Sequence, residues 1–317
     1  MSRLIKKRIK AVSENPYILF RKFNRTKIQR VLPDWLFLKL MFKARLGYPL
    51  NLDHPKSFNE KLQWLKLNDR RPEYIRMADK YEAKGIIASK VGDEFVVPVY
   101  GVWDKFEEID FGKLPDSFVL KTTHDAGGIV ICKDKSNFNF DSAQQKLSEH
   151  LRNSFYWRGR EWPYKYVKPR ILAEKYIEMD DSAADRFTYT TGRMPCIPDY
   201  KLFCFNGMVY CCLVCSGRNS NEGLHENFFD RNWVQLPFKR ANPILEAEIE
   251  EPKTYNRMIE IAEKIAIDIP FLRVDFFEKN GKPYVGELTF YPANGFGKFL
   301  PREWDYKLGE MIKLPID

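Results

Sequence analysis

The sequence predicts an α+β protein, and three observations carry that reading. Residues Phe271–Thr289 read as two short strands joined at Asn280-Gly281, the strongest local hairpin signal. Asp199–Tyr210 repeats the pattern around Asn206-Gly207. Between and around these strands lie helical stretches: Met258, Ile261, Ala262 and Ile265 share one helix face, and Phe58, Leu62, Trp64 and Leu65 another.

The bulk properties set bounds. A chain of 317 residues holds two or three subdomains, and 44% hydrophobic residues fit an ordinary globular protein. No window approaches the roughly 18 uninterrupted apolar residues of a membrane span. No long apolar secretory core opens the sequence, and the six cysteines read as reduced thiols, so the expected setting is cytoplasmic. The net charge of +9 is unevenly placed. Residues 1–48 hold 13 Lys/Arg against 2 Asp/Glu, so the rest of the chain is nearly neutral. That excludes a general nucleic-acid surface.

From the N-terminus, Leu4, Ile5, Ile9 and Val12 are interleaved with Arg3, Lys6, Lys7, Arg8 and Lys10. This basic amphipathic pattern is expected to touch anionic lipid or an acidic polymer at the inner membrane face. Pro33-Asp34 starts a helix over 35–48 that is expected to pack on the body. Ser57, with Glu60 three residues on, caps the helix within 51–70. Another helix starts near Met77–Ile87, and Val96-Val-Pro reads as a short strand. Phe118–Cys132 reads as strand, glycine loop, strand, with Gly127-Gly128 letting the backbone approach a phosphate. It is neither a P-loop nor a dinucleotide fingerprint. A helix over about 141–153 leads to an aromatic loop, Arg160-Glu-Trp-Pro-Tyr, then to a buried strand from Pro169 that ends in charge. Residues 180–198 form a polar insertion. Lys201 shares a strand face with Phe203 and Phe205, so it needs a counter-charge, and a triphosphate would supply one. Cys204, Cys211, Cys212 and Cys215 lack paired Cys-x-x-Cys spacing and read as small core residues. Phe299–Gly309 closes the chain as a helix.

The chemistry concentrates on the last hairpin. Residues two apart share a strand face, which puts Arg273 with Asp275 and Glu287 with Thr289. Pairing across Asn280-Gly281 brings Asp275 and Glu287 together. Like charges side by side repel, and a divalent cation removes the objection. Mg²⁺ sits on one or two carboxylates plus substrate phosphates.

Arg-x-Asp, hairpin, Glu-x-Thr and Pro-Ala-Asn-Gly resemble the end of the ATP-grasp fold. Phe58-Asn-Glu-Lys-Leu-Gln-Trp, Ala78-Asp-Lys-Tyr, Phe118-Val-Leu-Lys, His124-Asp-x-Gly-Gly, Gly159-Arg-Glu-Trp-Pro-Tyr, Ala173-Glu-Lys-Tyr and Gly286-Glu-Leu-Thr-Phe together resemble the TupA-like ATP-grasp family over roughly residues 50–315. Members of that family are found with capsule and lipopolysaccharide genes. The resemblance implies a nucleotide held between two α+β subdomains. It divides the chain into a basic helical segment (1–50), an N-terminal subdomain (51–115), a lid with the glycine loop (116–178) and a C-terminal subdomain with the metal (179–317). It implies ATP and Mg²⁺, with Lys80, Lys121 and Lys201 on the phosphates under Gly127 and Gly128. Glu174, Lys175 and Ile177 match the adenine hinge, and either Glu178 or Asp181 takes the ribose. Asp275 and Glu287 hold metal. The usual Asn two residues after the Glu is Thr289 here, which leaves Thr289 or Asn294 as third ligand. Arg273 steadies the phosphoryl charge, and His124 is a candidate to cover the phosphates or the acceptor. The implied activity is a carboxylate–amine ligase that joins an amino acid to a uronic acid of a surface polysaccharide or its precursor. A sugar kinase would use the same ATP residues. A glycosyltransferase would need Asp-x-Asp, which is absent.

Overall fold

A computed structural model describes residues 16–23, 26–177, 199–216, 223–246 and 248–315. The basic stretch 1–12, the insertion 180–198, Glu178 and Asp181 lie outside the described residues. Helix α1 (Asp34–Leu46) starts behind Pro33 and ends where Gly47, at φ 89°, donates its N–H to the Lys43 carbonyl. Phe37, Leu38, Met41 and Phe42 of α1 form a buried cluster with Leu50, bordered by Leu67 and Phe296. The helix therefore packs on the body, as its apolar face requires.

Helix α2 (Phe58–Asn68) opens on the expected capping box. The Glu60 N–H reaches Ser57 Oγ at 3.2 Å, and the Ser57 N–H reaches Glu60 Oε2 at 2.9 Å. The helix expected to start at Met77 is in fact broken. Helix α3 (Glu73–Ala78) stops, and α4 (Glu82–Val91) follows. Asp79 Oδ1 accepts the N–H groups of Tyr81 (2.7 Å) and Glu82 (3.1 Å), a side-chain acceptor that replaces the helical carbonyl. The strand expected at Val96–Pro98 is also displaced. Val96 makes one isolated bridge to Val285, and β1 (Val99–Trp103) begins beyond Pro98, which has no N–H for a ladder.

Strands β2 (Phe118–Thr122), β3 (Ile129–Cys132) and β4 (Ile171–Lys175) join β1 in an antiparallel sheet ordered β1-β4-β2-β3. Strand β1, from the 51–115 stretch, thus pairs with β4 of the 116–178 stretch. Phe118, Leu120, Ile171 and Ala173 face a core closed by Ala143 and Leu147 of α5 (Phe140–Leu151). The alternate residues Lys121 and Glu174 therefore share the opposite face. The short helix α6 (Tyr156–Gly159) leads out of this subdomain.

Strands β5 (Asp199–Phe205), β6 (Met208–Ser216), β7 (His225–Asp230), β8 (Phe271–Lys279) and β9 (Lys282–Thr289) form the second antiparallel sheet, ordered β7-β6-β5-β8-β9. Both Asn-Gly turns have positive φ at Asn and Gly, as a two-residue hairpin of this hand requires. Helix α7 (Tyr255–Ile265) packs on β5 and β6, burying Met258, Ile261, Ala262 and Ile265. The four core cysteines, Cys204, Cys211, Cys212 and Cys215, are all buried. Phe58 inserts among Phe203, Phe205, Phe271 and Phe299, with ring centroids 4.9 Å from Phe271 and 5.7 Å from Phe299. Helix α8 (Glu303–Met311) packs on α2 and ends the described fold.

Candidate nucleotide and metal site

Register decides what the second sheet presents. Phe205 faces Phe271, Phe203 faces Arg273 and Lys201 faces Asp275; across the hairpin, Arg273 faces Thr289 and Asp275 faces Glu287. One face thus runs from aromatic to charged. Phe58 covers the aromatic end, and the other end carries Lys201, Arg273, Asp275 and Glu287.

At that end Arg273 grips Asp275 with two hydrogen bonds, Nε to Oδ1 at 2.6 Å and Nη2 to Oδ2 at 2.7 Å. Its Nη2 also donates to Thr289 Oγ1 at 3.0 Å and lies 3.8 Å from Glu287 Oε2. Lys201 Nζ donates to Asp275 Oδ2 at 2.6 Å and sits 3.2 Å from Asp199. Asp275, inside the sheet, supplies the counter-charge that Lys201 needs in this structure. Asp275 is only 5% exposed. Burial pushes its carboxyl pKa up, but Arg273 and Lys201 outweigh burial and hold it below the usual range. Burial works against the Arg273 charge too, and Asp275 more than restores it.

The donor set suits Mg²⁺ in kind. Two hard carboxylates are paired across strands, and of the roughly four acceptor directions of Asp275, Arg273 and Lys201 occupy three. Glu287, 35% exposed, faces outward. Asp275 and Glu287 are the residues that would hold such an ion, with its remaining positions left to substrate phosphates. Thr289 already accepts from Arg273, whereas Asn294 Oδ1 is buried without a protein partner. Among the described residues no three His, Cys, Asp or Glu side chains gather as a metal group.

On the first sheet Glu174 bonds Lys121 and also Lys84, the latter at 3.1 Å. Burial raises the Glu174 pKa, and the two lysines bring it below the usual value. Lys84 lies four residues after Lys80 and was given no role in the sequence; its partner is 90 residues away, so only the fold reveals it. Lys80 Nζ donates to the Asp125 carbonyl at the glycine loop. The Asp125 side chain bonds Thr122 Oγ1 and His150 Nδ1. His124 is 2% exposed, and its Nε2 donates to the Asn153 carbonyl at 3.0 Å. At Gly128 any Cβ would lie 1.9 Å from Thr122 Oγ1, which leaves glycine as the fitting residue; Gly127 has φ 105°. The Lys175 N–H donates to Pro98 O at 2.9 Å, and Ile177 is half-buried beyond it. A narrow cleft brings Lys80 and Lys84 opposite Glu287. It holds about 20 Å³, so a triphosphate bridging its walls needs them to part.

Two further charges belong to this neighbourhood and escaped the sequence reading. Glu161 is 4% exposed and lies in the field of Lys66, Glu287 and Arg273. Burial, aided by Glu287 and opposed by Lys66, pushes its pKa up to about 7. Lys66, fully buried, donates to Gln63 Oε1 (3.0 Å), Gly159 O (2.7 Å) and Asn294 O (2.8 Å). Arg160, next to Glu161, bonds Gln29 at 2.8 Å and pairs with Asp34 at 3.3 Å. Its guanidinium lies 4.4 Å from the ring centroids of Phe37 and Trp157. The only sequence signal for these roles was the pair of opposite charges opening the Arg160–Tyr164 aromatic loop.

Two antiparallel sheets with lysines on one, a cationic-acidic hairpin on the other and a glycine loop between strands define an ATP-grasp-like α+β fold with two subdomains. The family model described as TupA-like ATPgrasp matches residues 60–313, and the chain belongs to that family. No curated protein sequence matches it. Among solved structures, it is similar to D-alanine–D-alanine ligase from Bacillus anthracis complexed with ATP, at 18% identity and TM-score 0.39, covering 68% of this chain and 55% of that one. It is similar to D-alanine–D-alanine ligase from Helicobacter pylori at 14% identity and TM-score 0.41, covering 81% and 70%. It is also similar to a RimK domain ATP-grasp protein from Sphaerobacter thermophilus DSM 20745, at 13% identity and TM-score 0.40, covering 77% and 70%. The chain thus spans little more than half the length of the Bacillus anthracis ligase.

Proposed function

We propose that the protein is an ATP-dependent carboxylate–amine ligase that joins an amino acid to a uronic acid of a surface polysaccharide or its precursor. The observation that carries this is the cross-strand Asp275–Glu287 pair with Arg273 beside it. A substrate carboxylate oxygen attacks the γ-phosphorus of ATP, and the bond to ADP breaks with its electron pair going to ADP. The amine nitrogen then attacks the acyl carbon, phosphate leaves, and the amine loses a proton. Lys80, Lys121 and Lys201 reduce the negative charge of the triphosphate. Glu174, Lys175 and Ile177 meet the adenine, and Glu178 or Asp181 the ribose. Arg273 stabilises charge on the phosphoryl group and the tetrahedral intermediate. Asp275 and Glu287, with Thr289 or Asn294, would hold Mg²⁺, which when bound neutralises the β- and γ-phosphates. His124 steadies the loop that covers them. No enzyme nucleophile is needed. No helix among the described residues is long and apolar enough to cross a membrane. We place the protein in the cytoplasm, with residues 1–12 touching anionic lipid at the inner face. Flotation with anionic liposomes tests that contact, and equal flotation without residues 1–12 would end it.

The deciding experiment is ADP release with ATP, Mg²⁺, uronic-acid sugars and pooled amino acids, with mass spectrometry of products. ADP release that requires both carboxylate and amine, with an amide product, is expected. A phosphorylated sugar would make the protein a kinase instead, and a glycoside formed without ATP use a glycosyltransferase.

A further inference from the structure

A second concavity of about 800 Å³ lies apart from the hairpin. Six cations line it: Arg21 and Arg45 from the N-terminal segment, Arg158 from α6, Lys239 and Arg240 from beyond β7, and Lys298 from beyond β9. Among the described residues, no Asp or Glu lines it. Arg240 also pairs with Glu226 at 2.9 Å, and Arg45 and Arg158 make contacts of their own. Cations gathered from separate segments repel one another wherever such contacts do not offset them, and a multiply charged anion would relieve that repulsion. Four of the six are arginines, whose planar forks match carboxylate and phosphate oxygens.

The cleft is joined to the reacting centre by one turn. Ala293 and Asn294 line it, and both hold left-handed backbone (φ 52° and 56°), uncommon for residues other than glycine. Strain of this kind collects where a loop has work to do. The Asn294 carbonyl accepts from Lys66, which also holds Gly159, two residues before Glu161. A saccharide in the cleft therefore lies against the loop whose far side meets the hairpin neighbourhood.

We propose that this cleft docks the acceptor through several negative charges on a saccharide, so that the reacting carboxylate arrives on an anionic oligosaccharide or a diphosphate-linked sugar rather than as a free monosaccharide. The inference rests on the ligase reading for the identity of the acceptor, and on the cleft alone for the charge. Calorimetry on the full chain tests it with three probes: hexagalacturonate, UDP-glucuronate and uncharged maltohexaose. The comparison is Lys239→Gln/Lys298→Gln, which leaves the proposed nucleotide residues intact, with ATP binding measured in parallel as the control for folding. The expected result is that one charged probe binds, maltohexaose does not, and the double variant weakens the charged probe about tenfold with ATP binding unchanged. Binding of hexagalacturonate assigns the charge to a uronate chain, and binding of UDP-glucuronate alone assigns it to the diphosphate. Binding of neither, equal binding of maltohexaose, or binding unchanged in the variant overturns the proposal. Cleft binding without any ATP binding would instead sink the ligase reading and leave the cleft standing.

Discussion

Asp275 and Glu287 face each other across the hairpin, yet removing their charges has different consequences. Asp275 accepts two hydrogen bonds from Arg273 and one from Lys201 at 5% exposure. In Asp275→Asn the amide presents donors to two buried cations. Breaking a buried ion pair from one side costs about 3–5 kcal/mol, against a total stability of about 5–15 kcal/mol. Glu287 is 35% exposed and 3.8 Å from Arg273, a separation and exposure at which a pair contributes about 0–1 kcal/mol. Glu287→Gln is therefore expected to melt within about 1 kcal/mol of the parent while turnover falls at least about a hundredfold, the scale of losing one charge-stabilising group. Asp275→Asn is expected to lose both turnover and stability, in contrast to the sequence-level picture of two equivalent ligands. Urea unfolding followed by tryptophan fluorescence, with ADP release measured on the same preparations, reads both quantities. Parent-like turnover in Glu287→Gln would refute the metal role, and parent-like stability in Asp275→Asn would refute the buried-pair argument.

Three further outcomes follow from the geometry. The pKa of Glu161 is raised to about 7 in the folded state from an ordinary value near 4.5, so the native protein binds more protons between these pH values and stability falls as pH rises through that window. The fall is about 3 kcal/mol at most and is expected to vanish in Glu161→Gln; thermal melts from pH 4 to pH 8 check it, and an unchanged profile would place Glu161 in water. Phe58→Ala removes a ring packed on four phenylalanines and is expected to cost about 3–5 kcal/mol by urea unfolding. Lys84→Met leaves Glu174 with Lys121 as its remaining lysine and is expected to weaken ATP binding severalfold by calorimetry; an unchanged affinity would make Lys84 purely structural.

The hairpin register was legible because Asn280-Gly281 permits only a short turn, and a two-residue turn fixes which side chains meet. Ser57 and Glu60 announced the start of α2 for the same reason: both partners of the cap are local. Local competition was harder to read, as where Asp79 takes over the first N–H groups of α4 or Pro98 postpones β1. What sequence reading missed altogether depends on distant partners. Lys201 looked in need of a ligand because Asp275, its neighbour in the sheet, is 74 residues away. Glu161 and Lys66 carry no local signal of burial, because most of the groups that enclose them come from distant parts of the chain. The basic cleft was hidden by arithmetic: a body of nearly neutral charge still gathers Arg158, Lys239, Arg240 and Lys298 on one side, and the N-terminal segment adds Arg21 and Arg45.

The three protons of Lys66 are all committed, one to its own helix and one each to the 159 and 294 carbonyls. That makes a single ammonium group the rivet through which three otherwise separate lengths of chain are fastened. Any parting of the narrow walls between Lys80 and Glu287 would have to be accommodated with Gly159 and Asn294 still tied to Lys66.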